Sequence, residues 1–159
     1  MVVNLIAAVG QSGQLGLDGR LACKNSDDLR WFKKLTCENP FDFVIMGSQT
    51  YKSLVENYAT PQIPPLPGRN LIIHHFHRTV YRKCKYGDEN AYTIEEFDFM
   101  TPLQIIEKFG SKNLWVIGGL QIFNIYLPYI QRFHIARLDY DGPADVYFDI
   151  LKIEKGEGS

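Results

Sequence analysis

Five short apolar runs rich in β-branched and aromatic residues, Val2–Val9, Phe41–Met46, Asn70–Ile73, Leu114–Ile117 and Arg132–Leu138, constrain this chain more than any other feature. Helical patterns fall between several of them. Strands joined by helical crossovers are covered on both faces and so read as near-continuous apolar runs; the alternation predicts an α/β fold with a sheet buried on both sides. At 159 residues and 45% apolar composition, one domain can bury roughly 70% of the surface its unfolded form exposes. No linker or repeat divides it, so one domain is expected over residues 1–153, followed by a flexible tail from Glu154 to Ser159.

The helices carry punctuation. Asn25-Ser26 can cap a helix with Asp27 and Asp28 in its first turn, beside the positive end of the dipole, and Leu29–Leu35 as its body. Thr101-Pro-Leu-Gln104 supplies a capping residue, a proline at the first helical position and a glutamine three residues on, and Gly110 closes that helix. A third helix begins at Gly119-Leu120 and stops before Pro128, and a fourth spans Gln49–Tyr58.

Charge and cysteine usage narrow the partners. With 17 Lys and Arg against 18 Asp and Glu, the net charge of −1 gives no bulk field for nucleic acid or an anionic membrane, so any anion site must be local. Cys23, Cys37 and Cys84 are odd in number and widely spaced, which predicts free thiols in a reducing compartment. The N-terminal stretch lacks a basic region and is broken at Asn4, too short for a signal sequence or a membrane span. A cytoplasmic protein is expected.

Three places can carry chemistry. Asp28 shares a helix face with Leu29, Phe32 and Leu35. It either decorates the helix N-terminus, as Asp27 does, or is a buried carboxylate that pairs with a cationic or amidine-like ligand edge. Phe43–Thr50 and Leu114–Gln121 each run from a strand through a glycine turn into a helix, where exposed N–H groups can hold phosphates. Neither matches a dinucleotide or P-loop fingerprint, although two such turns in one small domain fit a pyrophosphate better than either alone. Arg69 follows Pro65-Leu-Pro-Gly68 and is either a solvated turn residue or a guanidinium fork for a carboxylate.

Taken in order, Leu5-Ile-Ala-Ala8, Leu15-Gly16, Ser26-Asp-Asp28-Leu-x-Trp-Phe-Lys33, Val44-Ile-Met-Gly47-x-x-Thr50, Pro65-Leu-Pro-Gly-Arg69-Asn-x-Ile-Ile73, Val116-Ile-Gly-Gly119 with Leu127-Pro128, and Asp139 through Phe148 resemble the motifs of dihydrofolate reductases. An aspartate at position 28 is similar to the bacterial or phage pattern. The resemblance implies a central mixed, mostly parallel sheet flanked by about four helices. It also implies hydride transfer from NADPH to dihydrofolate, with a proton delivered to N5, as part of one-carbon metabolism. Asp28 would be the catalytic acid that holds the pteridine, with Ile6, Ala7, Leu29, Phe32 and Ile117 as the apolar slot and Lys33, Arg69 and Ala136 completing the substrate site. Arg69 would take the α-carboxylate of the glutamate tail. The cofactor would lie against Ala8, Leu15, Gly16 and Leu21, which resemble a mobile loop. Further cofactor contacts would come from Gly47, Ser48, Gln49, Thr50, His74, His75, Phe76, Gly118, Gly119, Leu120, Gln121 and Phe123. Gly118 and Gly119 are joined by a cis peptide in this family.

The chain departs from that pattern. Ala22-Cys23 replaces Pro-Trp, Ala136 replaces a threonine that hydrogen-bonds the acid, and Phe123 replaces a tyrosine. Losing one hydrogen bond to a charged group is worth roughly 1.5–3 kcal/mol, enough to slow chemistry by one to two orders of magnitude. Relatives that choose NADPH have arginines at the positions of Ser48 and Gln121, so NADH is admitted as an alternative. His74-His-Phe-His77-Arg78 can substitute as a basic strand edge. No metal site is expected there, because a strand sends adjacent side chains to opposite faces. Only residues 149–159 follow Phe148, where the family adds two strands, so those strands, G and H of the family, are expected to be reduced or absent. At most a short strand at Ile150–Ile153 fits. Arg132–Leu138 would then be a sheet edge, in a monomer or an edge-strand homodimer. The rivals to a folate reductase are a pterin-type reductase with another substrate, and a folate- or nucleotide-binding or structural homologue with little turnover.

Overall fold

The computed structural model describes residues 2–17, 20–21, 32–36, 42–58, 66, 68–75, 78–85, 88–109 and 113–149. Asp28, Leu29, Ala22, Cys23, Cys37, Phe76, His77 and the tail, on which several of the expectations rest, lie outside these residues.

In chain order the elements are β1 (Val3–Val9), β2 (Gln14–Leu17), β3 (Arg20–Leu21), β4 (Phe43–Gly47), α1 (Ser48–Tyr58), β5 (Asn70–His74), β6 (Arg78–Lys85), β7 (Asp88–Asp98), α2 (Pro102–Phe109), β8 (Leu114–Gly118), α3 (Leu120–Tyr126), a 3₁₀ turn (Leu127–Tyr129), β9 (Arg132–Arg137) and β10 (Val146–Tyr147). Residues 32–36 are also helical. Seven strands form one sheet in the order β7-β6-β5-β4-β8-β1-β9, and β10-β2-β3 form a second, smaller one. The pairs β5/β4, β4/β8, β8/β1 and β1/β9 are parallel, as the apolar runs predict. The mixed character comes from β6 and β7, which run antiparallel to their neighbours.

Strand alternation divides the core. One face carries Leu5, Ile45, Ile72 and Val116 beneath Ile105, Ile106 and Phe109 of α2 and Ile122, Phe123 and Tyr126 of α3. The other carries Ile6, Val44, Met46, Leu71, Ile73 and Trp115, covered by Tyr51 and Leu54 of α1 and by Phe32 and Leu35. Helix α2 starts with the expected reciprocal cap: the Gln104 N–H donates to Thr101 Oγ1 at 3.2 Å, and Gln104 Oε1 accepts from the Thr101 N–H at 2.9 Å.

The hairpin β6–β7 is an element that none of the five apolar runs marks in the sequence. Its anchor is a cluster of three rings, with Tyr81 5.0 Å from Phe109 and 5.8 Å from Phe43, and Phe43 5.3 Å from Phe109. Aromatic pairs contribute roughly 0.5–1.5 kcal/mol each beyond their buried area. Residues 92–96 of β7 are exposed, so the strand has no apolar alternation to announce it. Among the described residues β9 is the opposite edge of the sheet, and the strand that follows it, β10, joins the smaller sheet.

Candidate active site

Ile6 on β1 and Ile117 on β8 face the side covered by Phe32, and the three belong to one apolar cluster. Ala8 and Ala136 are register partners on β1 and β9 and lie on that same face. Ala7 was expected to wall the slot, but alternation turns its methyl into the opposite core, so only its backbone adjoins the site. Phe123 is likewise a core residue, 1% exposed and T-stacked on Phe148 at 5.1 Å.

Arg69 is buried at the end of a strained turn. Leu66 has φ 50° and Gly68 φ 78°, and the Arg69 N–H donates to the Leu66 carbonyl at 3.4 Å. A non-glycine residue in the left-handed region costs roughly 1–2 kcal/mol. The burial of Leu66 in the apolar cluster offsets that cost. Arg69 Nε donates to Thr36 Oγ1 at 3.1 Å and Nη2 to the Lys33 carbonyl at 2.9 Å, while the Thr36 hydroxyl donates to the Phe32 carbonyl at 2.9 Å. One helical segment thus supplies an apolar wall through Phe32 and orients the guanidinium through Thr36 and Lys33. The Lys33 side chain itself points to solvent. Sequence reasoning missed Thr36; a threonine four residues after Phe32, placed to bond back to that carbonyl, was the available signal.

The two glycine turns are adjacent. β4 and β8 are adjacent central strands that pair in parallel with Met46 beside Gly118, so α1 and α3 begin at the same, C-terminal end of the strands. Gly118 has φ 120°, and a Cβ there would lie 3.2 Å from the Phe123 ring; the Gly118–Gly119 peptide is cis. A Cβ on Gly47 would come within 3.1 Å of Ile122. The first turns of α1 and α3 carry no acidic residue, and Ser48, Gln49 and Gln121 are exposed. Paired N–H-rich turns without competing carboxylates are suited to a pyrophosphate.

Leu15, Gly16 and Leu21 lie in the small sheet, where Gly16 pairs with Leu21 and with Val146. The segment resembling a mobile loop is tied to residues 139–148. The Ser12 hydroxyl and Gln14 Nε2 donate to Asp141 at 2.7 and 2.9 Å, and these bonds hold its carboxyl below the usual range. The His74 side chain, expected on an exposed basic edge, is instead buried beside Tyr126, with Nδ1 3.1 Å from the tyrosine hydroxyl. Burial lowers its pKa and favours the neutral ring, against a smaller opposing effect of the Met100 backbone, and among the described residues Nε2 has no partner within hydrogen-bonding geometry. Among the described residues of that strand end, His75 and Arg78 are exposed, and Arg78 pairs with Glu96 at 3.3 Å. Among the described residues no group of His, Cys, Asp and Glu could hold a metal ion, and no helix is long and apolar enough to cross a membrane.

The fold and site thus define a mixed α/β protein with paired glycine turns at the C-terminal ends of two central strands and a buried arginine turn at the opposite, N-terminal end of the neighbouring strand β5. Comparison with known proteins gives the family. The dihydrofolate reductase family model matches residues 2–156. The dihydrofolate reductase of Mycobacterium leprae is 31% identical over 139 residues, 87% of this chain and 73% of that protein. A dihydromethanopterin reductase of Methylorubrum extorquens is 26% identical over 147 residues, 92% of this chain and 90% of that protein. The dihydrofolate reductase of Haemophilus influenzae is 26% identical over 157 residues, 99% of this chain and 84% of that protein. The chain belongs to the dihydrofolate reductase family and is an oxidoreductase.

Proposed function

We propose that this chain reduces 7,8-dihydrofolate to 5,6,7,8-tetrahydrofolate with a reduced nicotinamide dinucleotide, in support of one-carbon transfer and nucleotide synthesis. The observation that carries the reading is Arg69, a buried guanidinium oriented by Thr36 and Lys33 next to the apolar cluster of Ile6, Phe32 and Ile117. A planar fork at the end of an apolar slot suits a flat ring system with a carboxylate tail.

The residues present fit the dinucleotide. The turns at Gly47–Thr50 and Gly118–Gln121 would hold its phosphates through backbone N–H groups. Once bound, the nicotinamide supplies the hydride. The chain's own contribution is to position the ring, exclude water and bring one carboxylate, Asp28, to the pteridine edge. Asp28 orients and polarises the ring, and water delivers the proton to N5.

A second reading, reduction of a dihydropterin with a different tail, draws support from the Methylorubrum relative, whose name gives dihydromethanopterin as its substrate. Arg69 bears on the tail, because a guanidinium fork favours a substrate that places a carboxylate there. The test follows reduced-nicotinamide absorbance with dihydrofolate and with 7,8-dihydropteroate, which has the same pterin and benzoate but no glutamate. Folate reduction predicts turnover that Asp28→Asn abolishes and a clear advantage for dihydrofolate. Equal kcat/KM for the two substrates would refute the assignment of the tail to Arg69.

A further inference from the structure

The hairpin β6–β7 places Arg82 among the largest side chains that are fully buried, only 1% exposed. A guanidinium loses its hydration there and must recover it in hydrogen bonds. Arg82 lies opposite Leu71 of β5, on the face of the sheet that carries the apolar slot. Its Nη2 donates to the Leu66 carbonyl at 3.0 Å and to the Arg69 carbonyl at 3.2 Å, both buried contacts. The ring of Tyr92, from the outer strand of the same hairpin, covers the guanidinium carbon at 5.0 Å. The two accepting carbonyls delimit the turn that contains left-handed Leu66 and Gly68 and ends at Arg69.

We propose that Arg82 is a positioning residue for substrate binding: it clamps the Leu66–Arg69 turn from beneath, so that the hairpin sets the placement of Arg69 and hence selectivity for a substrate with a carboxylate tail. The proposal rests on the assignment of Arg69 to that carboxylate. Arg69 is held at two ends, its side chain by Thr36 and Lys33 and its backbone by Arg82. A turn with a left-handed leucine relaxes when a donor to its carbonyls is withdrawn, and a shift of the backbone against a fixed side chain misaligns the fork. Two-point recognition of a carboxylate depends steeply on such alignment.

The experiment measures kcat and KM for dihydrofolate and 7,8-dihydropteroate with wild type, Arg82→Met and Arg82→Lys, and thermal unfolding of each. Methionine keeps the apolar stem and removes both hydrogen bonds; lysine keeps the charge with a single donor head. The expected result is a KM for dihydrofolate raised about 10-fold or more by Arg82→Met and less by Arg82→Lys, with kcat held and the KM for dihydropteroate unmoved. A merely structural role lowers the melting temperature and moves both substrates together, which overturns the proposal. So does an unchanged substrate ratio in the folded variants. Should Arg82→Met not fold, the ratio read on Arg82→Lys decides. A wild type that treats both substrates alike overturns the Arg69 assignment itself and this proposal with it, whereas wild-type discrimination that survives in the variants overturns the Arg82 proposal alone.

Discussion

Thr36→Val tests the arginine site by the least intrusive change available. The hydroxyl is buried, and valine has nearly the same shape, so the substitution removes an acceptor without opening a cavity. The lost contact is Arg69 Nε to Thr36 Oγ1 at 3.1 Å, a buried hydrogen bond to a charged group. Such bonds are worth roughly 1.5–3 kcal/mol, and a buried donor left without a partner costs about the same. If Arg69 binds the glutamate carboxylate, that energy appears as a KM for dihydrofolate raised roughly 10- to 100-fold. The tail is bound alike in the ground and transition states, so kcat stays within about twofold. Global stability falls too, by a Tm of roughly 3–10 °C at this chain length. Thr36→Ser retains the acceptor and should behave close to wild type. Steady-state kinetics with saturating reduced cofactor read the effect. A folded Thr36→Val enzyme with unchanged KM would refute the reasoning, and a fall in kcat at constant KM would place Arg69 in the chemistry instead of in tail binding.

Further outcomes follow from individual residues. Ala136→Thr, beside Ala8 on the face of the apolar slot, restores a hydroxyl within the substrate site and should raise turnover; unchanged or lower kcat would count against the account of a weakened acid. With Ser48 and Gln121 uncharged and His74 buried, the preference for NADPH over NADH should stay below about 100-fold, or some 2.7 kcal/mol, in the ratio of kcat/KM values. His74 has a folded-state pKa below its usual value because burial disfavours the charged ring. The unfolded chain therefore binds more protons below about pH 6.5, and stability is lost as pH falls through that range. Urea midpoints at neutral and mildly acidic pH should show the loss, with a flatter slope in His74→Gln; parallel slopes would exclude His74 as the source. Gly118→Ala puts a Cβ 3.2 Å from the Phe123 ring at φ 120° and should destabilise by about 1–3 kcal/mol; a melting temperature equal to wild type would contradict the backbone described.

Legibility from sequence tracked how far a residue's fate depends on its own element. β1, β4 and β8 are buried on both faces and announce themselves as apolar runs, and the cap at Thr101–Gln104 is written in four adjacent residues. The glycine turns belong to the same class, since a strand running through glycine into a helix is a local pattern. Arg69 was visible as a candidate, but its orientation was not, because the hydroxyl that holds it lies 33 residues away and the clamp at Arg82 belongs to a hairpin without an apolar stripe. His74 was misread for the converse reason: three neighbouring imidazoles suggested a solvated basic edge, while alternation sent one of them beneath Tyr126, 52 residues on. The three side chains differ in local context but share one property, a polar group whose partner comes from a distant segment. Such pairings are chosen by the packing of elements, and packing is the level at which this chain differs from a sheet predicted strand by strand. The hairpin is therefore the place to look for what is particular to this enzyme. It adds two antiparallel strands to a parallel core, buries an arginine that the apolar pattern could not reveal, and delivers that arginine to the backbone of the residue proposed to read the substrate's tail.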